Sequence, residues 1–337
     1  MPSEYPTRRP TDEAYLDADP FDPPTSLLNL PWIDPHNHAH TLSFEDRERY
    51  ALSGCREMVM VASGYHWTPY KPVEADDVRY LWDDVLNRKR AIERNHFFRT
   101  NLALGIHTGV RITDPDELLD AMDEYCRLDD VVAIGETGVT PAQHAEAWDL
   151  DEQRAVVQAQ MELADRHDLP VILHTPNVGV DDGPDYRPEF GLPGFESNVS
   201  LGQEPVLTGE NPALDAVKID IEAAADAGLP EDRIVASHAD PNNIDYLLGE
   251  TDCYASFTVS YPWLNGVDAA DVADAIRKYG PDRVMMDTDC ANILRTDVFS
   301  VKRAIFDLYR LGIDEDDIRQ VVFENPKRVL GLGDAAE

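Results

Sequence analysis

Basic residues are scarce in this chain of 337 residues, and lysine most of all. Twenty-nine Lys and Arg residues stand against 65 Asp and Glu residues, which gives a formal net charge of −36, and only six of the 29 are Lys. The acidic residues are spread over every segment, and no basic track suited to nucleic acid is evident. At molar salt the Debye length falls to about 3 Å, which screens most of the self-repulsion. The composition therefore favours a protein from a high-salt cytoplasm, a halophilic source, over an acidic protein adapted to a basic partner.

Cysteine, long apolar runs and glycine-rich phosphate motifs are also lacking. The four cysteines show no CxxC or similar metal spacing, which favours reduced thiols in a cytosol. No apolar run approaches the ~18 residues of a membrane span, and the N-terminus has no apolar signal core. Neither GxGxxG nor GxxxxGK[ST] occurs in the chain. We therefore predict a cytoplasmic protein that does not contact a membrane.

The chain does contain a regular alternation of short apolar runs and longer helical stretches. Residues 1–31 are rich in Pro and Asp and are predicted to form an irregular arm. Near-continuous apolar strands that alternate with helices are typical of parallel sheets covered on both faces. Eight such units predict one α/β domain over residues 32–337, a (β/α)8 TIM barrel, with a doubly wound open sheet as the competing arrangement. The predicted strands are WIDPH from Trp32, then 57–63, 100–107, 131–136, 170–174, 233–238, 253–259 and 283–289.

Two loops are predicted to shape substrate specificity. A long insertion, residues 177–210, follows the fifth predicted strand and carries few helix or strand signals. Loops of this length are usually functional or disordered. The second predicted strand is followed by the aromatic loop GYHWTPY, in which His66 and Trp67 are candidate substrate-binding residues. His107, at the end of the third strand, is a candidate to hold a substrate oxygen.

Side chains of the types that bind metal ions stand at the ends of five predicted strands. Function in a (β/α)8 barrel gathers at the carboxyl ends of its strands. Residues i and i+2 share a face of a strand, so His36 and His38 can both point into the barrel mouth. A lone histidine at a strand end is more often structural than a ligand, but so many at one end of a barrel indicate a metal site. The set is His36, His38, Glu136, His174, His238 and the strand-eight pair Asp287 and Asp289.

Neutral imidazole ligands narrow the choice of ion. They suit Zn²⁺, Mn²⁺, Co²⁺ or Ni²⁺ better than Mg²⁺ or Ca²⁺. We therefore expect one or two divalent ions, with zinc as the first choice and manganese, cobalt, nickel or magnesium as alternatives. A strand-four carboxylate could bridge two ions, and a strand-eight carboxylate could take a proton from water. Histidines in helix or loop contexts are predicted to be solvated: His40 (or behind the ligands), His96, His144 and His167.

The motifs DPHNH, VVAIGETG, VILHTP, IVASH and MMDTD, in that order, resemble the TatD family of metal-dependent hydrolases in the amidohydrolase superfamily. The resemblance extends from about Ile33 to Leu332. It implies a TIM barrel that hydrolyses its substrate with one or two divalent ions, Glu136 and Asp289 acting in catalysis. The implied ligands are His36 and His38 for the first ion, His174 and His238 for the second, Glu136 as the bridge, and Asp289 rather than Asp287 as the strand-eight carboxylate.

The sequence departs from the family pattern at three strand ends. TatD-type nucleases usually carry an Arg two residues after the strand-five His, whereas Thr175 and Pro176 follow His174 here. The strand-six motif reads HADPN in place of H-x-F-x-G, and Cys290-Ala291-Asn292 follows the strand-eight Asp. The missing Arg weakens phosphate binding. These details resemble the EboC-like branch of the group, which is associated with handling of metabolites or prenyl precursors.

The function that follows is hydrolysis of a small-molecule ester, amide or phosphoester by metal-activated water. A DNA or RNA phosphodiesterase of the TatD type is an alternative that the acidic composition disfavours. A non-catalytic metal-binding barrel in a transport or assembly complex is a second alternative, from another class. The sequence leaves the substrate and the oligomeric state open.

Overall fold

The computed structural model describes residues 23–63, 73–109, 111–144, 148–175, 203–259, 267–291 and 297–333. Eight parallel strands form one sheet in which sequential barrel strands are neighbours, as the sequence predicts. Each observed boundary lies within two residues of the predicted one. The barrel strands are β1 (Trp32–Asn37), β2 (Cys55–Ser63), β3 (Arg99–Gly105), β4 (Val131–Thr137), β6 (Val171–His174), β8 (Ile234–Ser237), β9 (Tyr254–Thr258) and β10 (Val284–Asp287).

The first and last strands close the barrel through their carboxyl ends. The Asp289 amide donates to the His36 carbonyl at 3.0 Å, and the His38 amide donates to the Cys290 carbonyl at 2.9 Å. These bonds join the segment after β10 to β1 on the side where function gathers in such barrels. The predicted (β/α)8 TIM barrel is therefore confirmed, and its closing seam passes through three of the predicted site residues.

Helices separate the strands, and several of them begin at polar residues whose side chains cap the helix. The Asp114 side chain accepts from the Glu117 amide at 3.2 Å, which caps the helix that the sequence predicts there. No helix in the described ranges is long and apolar enough to cross a membrane. The α-helices are α1 (Thr25–Leu28), α2 (Phe44–Leu52), α3 (Ala75–Asn95), α4 (Pro115–Tyr125), α5 (Leu150–His167), α6 (Pro212–Ala227), α7 (Ile244–Glu250), α8 (Ala269–Tyr279), α9 (Ser300–Arg310), α10 (Glu315–Arg319) and α11 (Asn325–Val329), the last preceded by a π-helical turn (Gln320–Glu324).

Apolar side chains form two layers around the strands. One layer lies between the strands and the outer helices, and the other fills the barrel interior. Leu330 and Leu332 from the C-terminal segment join the interior layer. Asn325 fixes this segment, because its amide donates to the Val284 carbonyl at 2.8 Å at the start of β10. The interior is thus a packed core that supports the strand ends from below.

Two segments predicted to be irregular contain regular structure. Within the predicted arm, Thr25–Leu28 form a helix whose Leu27 is buried, and Lys302 donates to the Leu27 carbonyl at 2.7 Å. The end of the predicted 177–210 insertion forms strand β7 (Gln203–Pro205), which pairs antiparallel with β5 (Ala142–His144). Residues 1–22 and 176–202 lie outside the described residues. The domain boundaries at 31 and 177–210 therefore stay predictions.

Candidate metal centre

Two histidines from β1 face the barrel mouth, and both are buried. The Nδ1 atom of His38 lies 3.0 Å from the Val61 carbonyl oxygen. A carbonyl only accepts hydrogen bonds, so Nδ1 carries the proton and Nε2 presents its electron pair. That Nε2 atom lies 3.2 Å from Oδ1 of Asp289. His36 Nε2 lies 3.6 Å from the same carboxylate oxygen.

Glu136, at the end of β4, lies at the centre of the cluster. Its Oε1 atom contacts Nδ1 of His174 and lies 3.2 Å from Nε2 of His238. Its Oε2 atom lies 3.6 Å from Nε2 of His36. One carboxylate therefore reaches histidines from three different strand ends, which is the position expected of a bridging ligand.

The backbone is left-handed at two residues of the cluster. His238 has φ 60° and Asp289 has φ 43°; His238 directly follows β8, and Asp289 is the second residue after β10. Non-glycine residues rarely adopt this conformation, and it concentrates at functional sites. The turn at Asp289 separates it from Asp287, although the two are only two residues apart. Asp287 remains in β10 and accepts hydrogen bonds from Ser256 and Thr258.

Opposite charges compensate one another inside this buried cluster. Burial alone would lower the pKa of His36, but the charges of Glu136, Asp289 and Asp287 raise it to about 10. Burial would raise the pKa of Glu136, but His174 and His36 hold it well below its usual range. Burial likewise opposes ionisation of Asp289, and the bond to His38 with the charge of His36 lowers its pKa. The carboxylates are therefore ionised and able to bind a cation.

The donor set fits a divalent ion. Buried Nδ1 and Nε2 of His36 have no hydrogen-bond partner in the described part of the chain. Buried polar atoms are normally paired, so an orphaned imidazole among carboxylates indicates a ligand position. Two ligands about 2.0–2.2 Å from a common zinc ion stand roughly 3.4 Å apart, close to the separations above. Within the described residues, two groups have ligand atoms that all lie within 4.8 Å of one another: His36, Glu136 and His238, and His36, His38 and Asp289.

The other candidate residues differ in whether the structure describes them and in whether they lie near the cluster. His107 is buried beside His174, with ring centroids 4.9 Å apart, and its Nδ1 accepts from the Gly109 amide at 3.0 Å. His66 and Trp67 lie outside the described residues. The expectation that His96 is solvated is wrong, because its side chain is buried. His40 is also buried, with its ring centroid 5.9 Å from that of His38, which agrees with the alternative position behind the ligands. Burial, with His38, Arg88 and Arg47 nearby, lowers the pKa of His40 to about 3 and keeps it neutral.

Sequence reasoning missed a buried polar clamp at the closing seam. Asp34 of β1 accepts from Thr288 Oγ1 at 2.7 Å and from the Tyr50 hydroxyl at 3.1 Å. Burial raises the pKa of Asp34 to about 7, against the effect of the Thr288 bond. The clamp fixes β1 relative to the Asp287–Asp289 segment. A signal existed in the sequence, since Asp34 stands at i−2 from His36 on the same face of an otherwise apolar strand.

Comparison with known proteins identifies the type of enzyme. Residues 33–183 match the sequence model of the family described as TatD related DNase. An uncharacterized metal-dependent hydrolase of Methanocaldococcus jannaschii is 24% identical over 295 residues, which cover 88% of this chain and 98% of the relative. The chain is a metal-dependent hydrolase that is similar to the TatD family over residues 33–183. The matched family region contains four of the six predicted ligands of this hydrolase: His36, His38, Glu136 and His174.

Solved structures show the same fold over nearly the whole hydrolase. A TatD-like protein from Archaeoglobus fulgidus has a TM-score of 0.60 and 21% identity, covering 89% of this chain and 100% of its own. A phosphotriesterase homology protein from Escherichia coli, complexed with phosphate, has a TM-score of 0.59 and 15% identity, covering 90% and 99%. At these identities the likeness establishes the fold and leaves the substrate to the chemistry of the site.

Proposed function

We propose that this hydrolase cleaves a small-molecule ester, amide or phosphoester with water activated by one or two divalent ions at the barrel mouth. The observation that carries the proposal is the position of His36. Its buried Nε2 lies 3.6 Å from both Glu136 and Asp289, so it belongs to both candidate ligand groups. A single imidazole shared by two groups is consistent with either one ion or two, and zinc remains the first choice.

The residues of the cluster would have two roles, to hold the metal ions and to exchange a proton with water. His36, His38 and Asp289 would hold one ion, and Glu136, with His174 and His238, would hold a second. A bound divalent ion supplies Lewis acidity and lowers the pKa of a coordinated water to about 7. Asp289 is the carboxylate suited to accept and pass on a proton, since its side chain is 16% exposed whereas that of Glu136 is 1% exposed.

Exposure also indicates where substrate approaches. In the described part of the cluster, the most exposed side chains are those of His174, at 25%, and Asp289, at 16%. Substrate is therefore expected between the ends of β6 and β10. His107 contacts His174 on that side and is placed to hold a substrate oxygen. His66 and Trp67 stay predictions as substrate-binding residues of the aromatic loop.

A nuclease of the TatD type is the second candidate, favoured by the description of the matched family. Two features weigh against it. Thr175 and Pro176 follow His174 where TatD nucleases usually carry Arg, and the chain has a formal charge of −36. The same departures support placement near the EboC-like branch, a small-molecule substrate and a cytoplasmic location.

The metal site can be tested by purifying the protein in molar salt and counting bound metal. We expect His36→Ala/His38→Ala to lose at least one ion per chain, together with turnover, while its circular dichroism is retained. His167→Ala is the matched control, because His167, the last residue of α5, pairs with Asp123 of α4 at 2.9 Å, away from the cluster. Unchanged metal content in the double variant would contradict the assignment.

Assays on esters, lactones, amides, phosphoesters and single-stranded DNA separate the two candidate functions, since preferential cleavage of DNA would favour the nuclease.

We further propose that the protein is adapted to high salt. The formal charge of −36 predicts a lower melting temperature as potassium chloride is reduced from molar to 10 mM, where the Debye length grows to about 30 Å. Each kcal/mol of lost stability should lower the melting temperature by roughly 1–2 °C in a chain of this length. Sucrose at matched osmolality is the control, because it is excluded from protein surfaces without screening charge. A melting temperature independent of salt would contradict this adaptation.

A further inference from the structure

A chain of three buried polar groups connects β10 to His238 through β9. His238 Nδ1 lies 2.8 Å from Thr258 Oγ1, and Thr258 Oγ1 donates to Asp287 Oδ1 at 2.7 Å. Ser256 donates to the other oxygen of the same carboxylate. All members are at most 5% exposed. Asp287, which the family pattern passes over in favour of Asp289, therefore has a defined position behind a candidate ligand.

The direction of these bonds fixes the proton on His238. A hydroxyl has one hydrogen, and both oxygens of the Asp287 carboxylate accept, one from Ser256 and the other from Thr258. Since Thr258 gives its hydrogen to Asp287, its oxygen must accept from Nδ1–H of His238. The Nε2 atom of His238, which faces Glu136 at 3.2 Å, is then left with its electron pair directed at the metal centre. A buried partner that orients a histidine in this way raises its basicity as a ligand.

We infer that Thr258 and Asp287 are positioning residues that hold His238 in the Nδ1–H form, with Nε2 presented to the metal ion. This inference rests on the metal site proposed above and adds to it a pair of residues that bind no ion themselves. Thr258 is the connecting element, because its hydroxyl is interposed between the imidazole and the carboxylate.

The chain from Asp287 through Thr258 to His238, here called the relay, has a counterpart at His38. Comparison of the two histidines shows why the relay is required. His38 obtains the same Nδ1–H form from the Val61 carbonyl, a backbone group that no side-chain substitution removes. His238 stands in the left-handed region, φ 60°, immediately after β8. Its ring therefore depends on a side-chain partner from the neighbouring strand for its orientation.

The test compares metal affinity of Thr258→Val with that of the wild type, by competition with a chromophoric zinc chelator on metal-free protein. Valine keeps the shape of threonine and removes the hydroxyl. We expect zinc affinity to fall by about 10- to 100-fold, as for other groups that orient metal-bound histidines. Thr258→Ser should restore affinity to within a few fold. Thr251→Val is the matched control, because Thr251 is also buried but donates to Leu247 within α7 and the turn after it, away from the cluster.

Two outcomes would overturn the inference while leaving the metal site intact: wild-type affinity in Thr258→Val, or equal losses in Thr258→Val and Thr251→Val. Failure of the wild type itself to bind any of zinc, manganese, cobalt, nickel and magnesium would instead refute the proposed function. A measurement on the wild type covers the case in which Thr258→Val does not fold. Nitrogen-15 NMR of the zinc-loaded protein should show a protonated, slowly exchanging Nδ1 of His238, assigned by its absence from His238→Asn. A non-protonated Nδ1 would refute the relay.

Discussion

Replacing Glu136 by glutamine is expected to lower metal affinity by at least about a hundredfold and to remove hydrolysis with it. Groups that merely orient a ligand already contribute about 10- to 100-fold. Glu136 contacts His174 and His238 directly and lies 3.6 Å from His36, so its loss affects three of the four histidines of the cluster. Glutamine preserves size and removes the charge, which leaves several buried imidazoles without the carboxylate that compensates them.

The matched control for this substitution is Glu57→Gln. Glu57 is also buried in a barrel strand, but it pairs with Asn101 at 2.7 Å, near the starts of β2 and β3. We expect it to keep full metal content and turnover, whatever its effect on melting temperature. Metal counting by mass spectrometry and assay of the active substrate class measure both variants. Full metal content in Glu136→Gln would refute the bridging role.

The fold could be predicted because each strand and helix of the barrel has a recognisable pattern in the local sequence. Strands covered on both faces are continuous apolar runs, and capped helices between them start at residues such as Asp114. Eight alternations leave few other arrangements. The pairing of β5 with β7 could not be predicted, because it joins three-residue strands that are about 60 positions apart and carry no pattern of their own. Helix α1 is likewise stabilised by contacts from elsewhere in the chain, such as Lys302.

The residues of the candidate site that could be predicted are those that follow from the two-residue period and the ends of the strands. His36 and His38 follow from the i, i+2 rule, and the single ligand types at the ends of β4, β6 and β8 follow from their positions. Periodicity alone could not separate Asp287 from Asp289, because the distinction depends on a left-handed turn at Asp289. The role of Thr258 could not be predicted from the sequence for a related reason. Its alternation with Ser256 marks a polar face of β9, but their common partner lies on another strand.

Close approach of the backbone at β3 and β4 gives the second large expected effect. A Cβ atom added to Gly105 would lie 2.6 Å from the carbonyl carbon of Gly135 and 2.7 Å from the carbonyl oxygen of Glu136. Both are backbone atoms, which cannot rotate away as the end of a flexible side chain can. Gly105→Ala must therefore push β4 outwards at the residue that carries the central carboxylate.

We expect Gly105→Ala to lose about 1–3 kcal/mol of unfolding free energy, the usual cost of overpacking a core, and to bind metal more weakly as well. Gly249→Ala is the matched control: its Cβ would meet only the Tyr279 side chain at 3.5 Å, an ordinary contact, in the last turn of α7. Alanine there should be neutral or stabilise by up to about 1 kcal/mol. Urea unfolding in molar salt measures the stability of both variants, and chelator competition measures their metal affinity. Gly105→Ala with normal stability and normal metal affinity would show that β4 can yield without moving Glu136, and that the site tolerates more displacement than its packing implies.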